Sequence, residues 1–184
     1  MDPTGVRGPT EPLLIRSAID ADAPAIWSIM EPIIREEQTY ALPRDLTAER
    51  ALEWWRAPGH LVFVAELSGV IVGTYFLRAN PEEPEGVANC GYMTAPSANG
   101  RGVGRAMCAH SLERAVERGF TAMQFNFVVS SNTRAVKLWG SMGFETVRTL
   151  AGAFNHPMLG RVDALVMRRR LDGKPSPPPE RLFV

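Results

Sequence analysis

The stretch Asn99-Gly-Arg-Gly-Val-Gly-Arg-Ala-Met107 sets glycines at 100, 102 and 104, adds Arg101 and Arg105, and runs on into an amphipathic segment. Residues without a Cβ reach backbone conformations closed to others, so successive N–H groups can turn toward one point. At the start of a helix that point also meets unpaired amides and the positive end of the helix dipole, which together favour an anion. The dinucleotide fingerprint G-x-G-x-x-G fails here: counted from Gly100 the last position is Arg105, and counted from Gly102 it is Met107. The Walker pattern fails too, because no Gly-Lys-Ser or Gly-Lys-Thr occurs in the chain. The loop reads as a cradle for a pyrophosphate or similar anion, with Arg101 and Arg105 as added donors.

Downstream, Gly102 to Gly119 carries Val103, Met107, Leu112, Ala115 and Val116 among charges, with Gly119 where a helix-ending glycine belongs. Ala122 to Val129 alternates, which puts Met123, Phe125 and Phe127 on one face of a strand and Gln124 and Asn126 on the other. Ser130-Ser-Asn-Thr opens a helix with a stripe of Ala135, Leu138, Trp139 and Met142, closed by Gly143. Glu145 to Leu150 and Val162 to Arg168 read as closing strands. Upstream, Val87 to Thr94 is a strand that stops before Pro96, and Leu61 to Leu67 and Val70 to Leu77 form a hairpin at Ser68-Gly69. Two helices precede them: one from Asp20 with apolar Ile26, Ile29, Met30 and Ile33, and one capped by Thr47 and stopped by Ala57-Pro-Gly-His. Leu13-Leu14-Ile15 is a first strand. The order is strand, two helices, three strands, helix, strand, helix, two strands, an α/β (α+β) pattern too irregular for a doubly wound parallel sheet.

The 184 residues hold 45% apolar residues, enough for one domain with a core. Twenty basic residues balance twenty acidic ones, so no overall field draws the chain to nucleic acid or an anionic membrane, and Arg168-Arg-Arg170 is the one basic cluster. Cys90 and Cys108 suit neither a disulfide framework nor a metal site. No apolar run has the length of a membrane span, and the polar, proline-rich start is unlike a signal peptide, so the expectation is a cytoplasmic protein without metal. Residues 1–12 and 172–184, both rich in proline, are expected to be tails flanking a folded unit at 13–171.

The run from Tyr92 through the glycines to Met107 resembles the acetyl-coenzyme A segment of the GCN5-related N-acetyltransferases, in which a strand and proline precede [QR]-x-x-G-x-[GA]; here the pattern falls on Asn99, Gly102 and Gly104. A second signature, Asn-x-x-Ala-x-x-Leu-[Tyr]-x-x-x-Gly-Phe, falls on Asn132, Ala135, Leu138, Trp139, Gly143 and Phe144. The two occur in the family's order with its intervening strand. The resemblance implies the GNAT fold, a mixed, mostly antiparallel sheet of six to seven strands flanked by about four helices. It implies acetyl-CoA as co-substrate, held by Tyr92, Met93, Thr94, Gly100, Arg101, Gly102, Val103, Gly104, Arg105, Asn132 and Trp139. Two letters depart from the pattern. Asn99 replaces the usual Gln or Arg, which removes a charge but no backbone donor. Trp139 replaces the tyrosine proposed as general acid, and an indole N–H cannot protonate a thiolate. A thiolate of pKa near 8.5 is a mild base that water can protonate, so no acid is assigned.

The implied reaction is attack of a neutral amine on the thioester, with the developing oxyanion held by a backbone N–H of the fourth strand. An amine of pKa near 10 is neutral about one part in a thousand at pH 7, a handicap of roughly 4 kcal/mol for a base or desolvation to offset. Glu36, Glu37 and Tyr40 lie at the end of the first helix, where the family places acceptor-binding residues, and His156 lies in the late loop Phe-Asn-His-Pro; Glu36, Tyr40 and His156 are the candidates for acceptor binding. Asn89, Asn126 and Asn132, with Phe-Asn-Phe-Val-Val-Ser-Ser-Asn, look like the subgroup that acetylates proline analogues such as azetidine-2-carboxylate. That resemblance puts Asn126 and Asn89 in catalytic roles at the acceptor and thioester, and Asn132 on the pantetheine arm. The expected acceptor is a small amine of amino-acid or imino-acid type. The alternatives are a protein or peptide amino group, or a silent acyl-CoA sensor. The apolar last strands are compatible with a homodimer.

Overall fold

The computed structural model describes residues 13–83 and 85–173. Eleven regular elements follow one another: β1 Leu13–Ser17, α1 Ala23–Glu36, α2 Ala48–Trp55, β2 Leu61–Leu67, β3 Val70–Ala79, β4 Val87–Thr94, α3 Val103–Glu117, β5 Ala122–Val129, α4 Thr133–Ser141, β6 Glu145–His156 and β7 Gly160–Arg170. The seven strands form one sheet in the order β1-β2-β3-β4-β5-β7-β6, antiparallel at every junction except β4–β5. The expected element order, strand count and four helices are all present. Of the tails expected at 1–12 and 172–184, all but Asp172 and Gly173 lie outside the described residues.

The sheet is covered on both faces. Met107, Cys108, Leu112 and Ala115 of α3 pack with Trp139 of α4 on Tyr75, Leu77, Met123 and Phe125. Gly73 allows this approach, since a Cβ there would sit 3.0 Å from side-chain atoms of both Val103 and Met107. On the other face Ile26, Ile29, Met30 and Ile34 of α1 and Ala51 and Trp55 of α2 bury Val64, Phe76 and Met93. The Trp55 indole N–H donates to the Thr74 hydroxyl, which itself donates to the Phe63 carbonyl, so both buried polar groups are satisfied.

One expectation of facing shifts by a residue, and two fail. Ile34, at 1% exposure, is the core residue at the end of α1, while Ile33 is half-buried. Val116 of α3 is 54% exposed, because it falls outside the helical stripe of Val103, Met107, Cys108, Leu112 and Ala115 that faces the sheet. Phe127 is 39% exposed: β5 pairs with β7 in register to Phe125, then slips, resuming at Val128↔Leu165. The bulge inverts the alternation, so Val128 takes the core side.

Candidate active site

The single parallel junction is also the shortest. β4 meets β5 only at Val87↔Ala122 and Ala88↔Met123, and beyond these the strands diverge into a fork. The alternation of an antiparallel ladder directs each second residue of β4 away from β3, so the N–H and C=O of Cys90, Tyr92 and Thr94 face the opening. Two side chains stand in for the missing ladder. Asn89 Nδ2 donates to the Gln124 carbonyl at 2.9 Å, bracing the crotch. Higher up, the Tyr40 hydroxyl accepts from the Tyr92 N–H at 3.0 Å and donates to the Tyr92 carbonyl at 2.9 Å. A Cβ at Gly91 would lie 2.6 Å from a Phe76 ring atom and 3.3 Å from the Tyr40 oxygen, so only glycine fits beneath this contact.

At the C-terminal end of β4 the glycine loop divides its labour. Gly100 and Gly102 have φ of +76° and +79°, which a Cβ would penalise, and Gly102 is the N-cap of α3. Gly104 has an ordinary helical backbone, and its role is packing: a Cβ would lie 3.3 Å from Leu138 Cδ2 of α4. The first helical N–H bond is Ala106 to Gly102, so the amides of Val103, Gly104 and Arg105 are open at the helix start. Val103 itself is buried, holding the loop down. The Arg105 guanidinium donates to Ser141 Oγ at 2.7 Å, tying α3 to α4 instead of pointing over the loop.

The expected site residues distribute unevenly. Tyr92 and Trp139 pack their rings 4.9 Å apart in the α3/α4 core, with Phe125 5.0 Å from Trp139, and the Tyr92 hydroxyl meets Ser111 Oγ at 2.6 Å. Met93 is buried on the opposite face and Thr94 is half-buried beside Gly73. Tyr40 is therefore a fork residue rather than a rim one, and burial raises its hydroxyl pKa. Glu36 is exposed at the end of α1.

Asn126 is paired with a residue the sequence did not point to. Asn80 Nδ2 donates to Asn126 Oδ1, and Asn126 Nδ2 returns to Asn80 Oδ1, both at 2.9 Å. Gln124 Nε2 adds bonds to Asn126 Oδ1 at 3.1 Å and Glu83 Oε1 at 2.9 Å, and Glu83 Oε2 takes Arg168 at 3.0 Å. Around Asn89, Arg78 links the Asn89 amide oxygen to His60 Nε2 at 3.4 Å each, and His60 Nδ1 lies 2.9 Å from the Trp55 carbonyl. This polar floor lies on the α1/α2 face of the sheet, below the fork. With Arg168 on Glu83, Arg169 on the Met142 carbonyl and Arg170 on Asp172, the basic cluster is engaged within the fold.

His156 is in β6 and not in a loop, a correction with a physical cause. Between Leu150↔Ala164 and Phe154↔Val162 the strand β6 carries extra residues, with Gly152 at φ +55°. Asp163 accepts the Gly152 N–H at 2.8 Å and Arg161 Nε donates to its carbonyl at 2.9 Å. The closed bulge turns the strand end inward, so Phe154 and His156 are buried at 5% and 8% exposure on an otherwise exposed strand. His156 then lines a pocket of about 200 Å3 with Gln38 and Thr39 before Tyr40 and with Ser131 to Arg134 at the start of α4. Asn132 lines it too, its Oδ1 capping α4 through the Ala135 N–H at 3.2 Å.

A fork whose β4 amides face an open slot thus lies next to a helix start with unpaired N–H groups. Residues 27–144 match the model of the acetyltransferase (GNAT) family, and the chain belongs to that family. It is similar to a GCN5-related N-acetyltransferase from Kribbella flavida, with 41% identity, a TM-score of 0.81 and coverage of 86% of this chain and 97% of that one. The fold is shared with yncA from Salmonella typhimurium, solved with its cofactor acetyl-CoA, at 23% identity and a TM-score of 0.77 over 90% and 98% of the two chains. A mycothiol acetyltransferase of Thermomonospora curvata is 33% identical over 100 residues, which are 54% of this chain and 32% of that protein. The chain thus spans about a third of the length of the curated relatives it matches. No helix among the described residues is long and apolar enough to cross a membrane, and no group of metal-ligating side chains occurs among them.

Proposed function

We propose that this protein is an acetyl-CoA-dependent N-acetyltransferase acting on the amine of a small molecule of amino-acid or imino-acid type. The observation that carries the reading is the Tyr92 backbone pair held by a side-chain hydroxyl, which shows that β4 donors and acceptors are directed into a slot with no strand partner. The residues fit the cofactor: the loop amides of Gly102 to Arg105 suit its pyrophosphate, and the fork suits an amide-bearing arm laid along Cys90, Tyr92 and Thr94. When bound, acetyl-CoA supplies a thioester carbonyl open to nucleophilic attack.

The chain's own part is positioning and electrostatics. The Tyr92 N–H, freed from Tyr40, is the donor placed for the thioester oxygen. The amide floor of Asn80, Asn89, Gln124 and Asn126 offers neutral donors and acceptors, with the Glu83 carboxylate at its edge engaged by Gln124 and Arg168, so it can orient an amine through hydrogen bonds. The asparagine pattern supports an acceptor like those of the proline-analogue subgroup. The mycothiol acetyltransferases among the relatives, named for a small molecule, support the size of the acceptor.

The deciding experiment follows thiol release from acetyl-CoA with purified protein and a panel of amino acids, imino acids, simple amines and peptides. Turnover with a small amine and none with peptides is expected; solvent-rate hydrolysis with every small amine overturns the reading. The protein's own thiols do not interfere, because burial raises the pKa of Cys90 and Cys108 to about 12.

A further inference from the structure

The pocket beside the fork presents donors and lacks acids. Its lining contributes one cation, Arg134, three hydroxyls, from Thr39, Ser131 and Thr133, and no carboxylate. Arg134 forms no ion pair with a described residue, and Ser131 Oγ is buried without a hydrogen-bond partner. His156 is the strongest pointer. The N–H groups of Met158 and Leu159 both aim at its Nδ1, at 3.2 and 3.3 Å, so Nδ1 carries the lone pair and the ring hydrogen sits on Nε2. More than nine-tenths buried, this imidazole lines the pocket and carries an Nε2–H that no described residue accepts.

From these groups we infer that the pocket is an anion subsite, built to receive the carboxylate of the acceptor through Arg134, Ser131 and His156 Nε2–H. The inference rests on the acetyltransferase reading and adds what the acceptor must carry. Three features of the lining favour a negatively charged oxygen group: the His156 N–H donor, the exposed Arg134 guanidinium and the first turn of α4, with the buried Ser131 hydroxyl beneath them. The volume of about 200 Å3, against roughly 30 Å3 per water in the liquid, suits a carboxylate with a few carbons. Location agrees. Thr39 lines the pocket and the adjacent Tyr40 touches the Tyr92 amide, so an α-amino acid with its carboxylate here directs its amine toward the fork.

The test compares L-alanine, alaninamide and ethylamine, and L-proline, prolinamide and pyrrolidine, in wild type, Arg134→Gln and Ser131→Ala, by thiol release. The acids are expected to exceed their amides and simple amines at least tenfold in kcat/KM. Arg134→Gln is expected to erase that preference through the KM for the acid, with the KM for acetyl-CoA and the rates with amides unchanged. Equal wild-type turnover of acid and amide overturns the inference, as does a preference that survives Arg134→Gln. Calorimetric titration with N-acetyl-L-alanine separates this from failure of the parent reading. Binding to wild type and not to Arg134→Gln, even without turnover of any amine, supports the subsite, and no binding to wild type overturns it.

Discussion

The Tyr40 hydroxyl sits 3.0 Å from the Tyr92 nitrogen and 2.9 Å from the Tyr92 carbonyl oxygen, so one side chain from the α1–α2 connection occupies both backbone groups that the fork leaves without a strand. It is a stand-in for β5, on the groups that the proposed cofactor arm would use. Tyr40→Phe keeps the ring packed against Trp54 while removing both bonds. Each is worth about 1 kcal/mol, so the free protein should lose roughly 1–2 kcal/mol. The loss falls on the free state, and the rise in Tm on adding acetyl-CoA should therefore be larger in the variant. An equal rise in both proteins would show that Tyr40 and the cofactor do not compete.

The glycines of the loop should separate by mechanism. Gly102→Val forces a β-branched residue to φ +79°, in a region that costs an ordinary residue about 1–2 kcal/mol. It should raise the KM for acetyl-CoA at least tenfold and leave that for the amine within twofold. Gly104→Val meets Leu138 Cδ2 instead, pushing α3 from α4, and should lower Tm as well. Steady-state kinetics with each substrate varied checks this, and equal rises in the two KM values for Gly102→Val would remove the loop from cofactor binding.

Asn80 and Asn126 test whether the floor is framework or machinery. Either one replaced by alanine strands the other amide, costing about 1–3 kcal/mol where the partner is buried, as Asn80 is. Both variants should melt earlier. If Asn126 orients the acceptor or thioester, Asn126→Ala should lower kcat at least tenfold and clearly more than Asn80→Ala. Equal kcat values at equal stability loss would leave Asn126 a structural amide.

Acid should destabilise the fold through two histidines. Burial depresses the pKa of His60, whose Nδ1 lies against the Trp55 carbonyl and whose Nε2 faces Arg78, and burial depresses that of His110 near Arg114 as well. A histidine lowered in the folded state binds its proton more readily unfolded. Stability is then fully present above the unfolded value of about 6.5 and declines as pH falls from there toward the folded values. Chemical denaturation between pH 8 and 5 should show a plateau and then a fall, with His60→Gln flattening part of it. An unchanged slope in His60→Gln would place the effect elsewhere.

Much of the fold was legible because local patterns and tertiary packing agreed. The glycine loop, the capped helix after Asn132 and the alternating β5 each combine a period with a start or stop residue, and the strand-helix order follows from them. Legibility failed where the chain departs from its period. The bulge after Phe125 exposes Phe127, and the one at Gly152 turns His156 from a loop residue into a buried strand end. Bulges are set by pairing with a partner strand, which a linear pattern does not contain. Asn80, Ser131 and Arg134 carried no signal for the same reason: each matters only through a neighbour distant in sequence, or through the cavity that several segments enclose.

The sequence by itself determined the family, the element order and the position of the glycine loop, since these rest on contiguous residues whose backbone preferences and hydrophobic period are local properties. The tertiary structure decided what the named residues do. It gave Gly104 to packing, Arg105 to an interhelical bond, Tyr40 to the fork and Asn126 to Asn80. It also gathered Thr39, Ser131, Arg134 and His156 around one pocket. Hydrogen bonding and burial are pairwise quantities between groups far apart along the chain, so they exist only once β4 and β5 have parted and the helices have closed over the sheet.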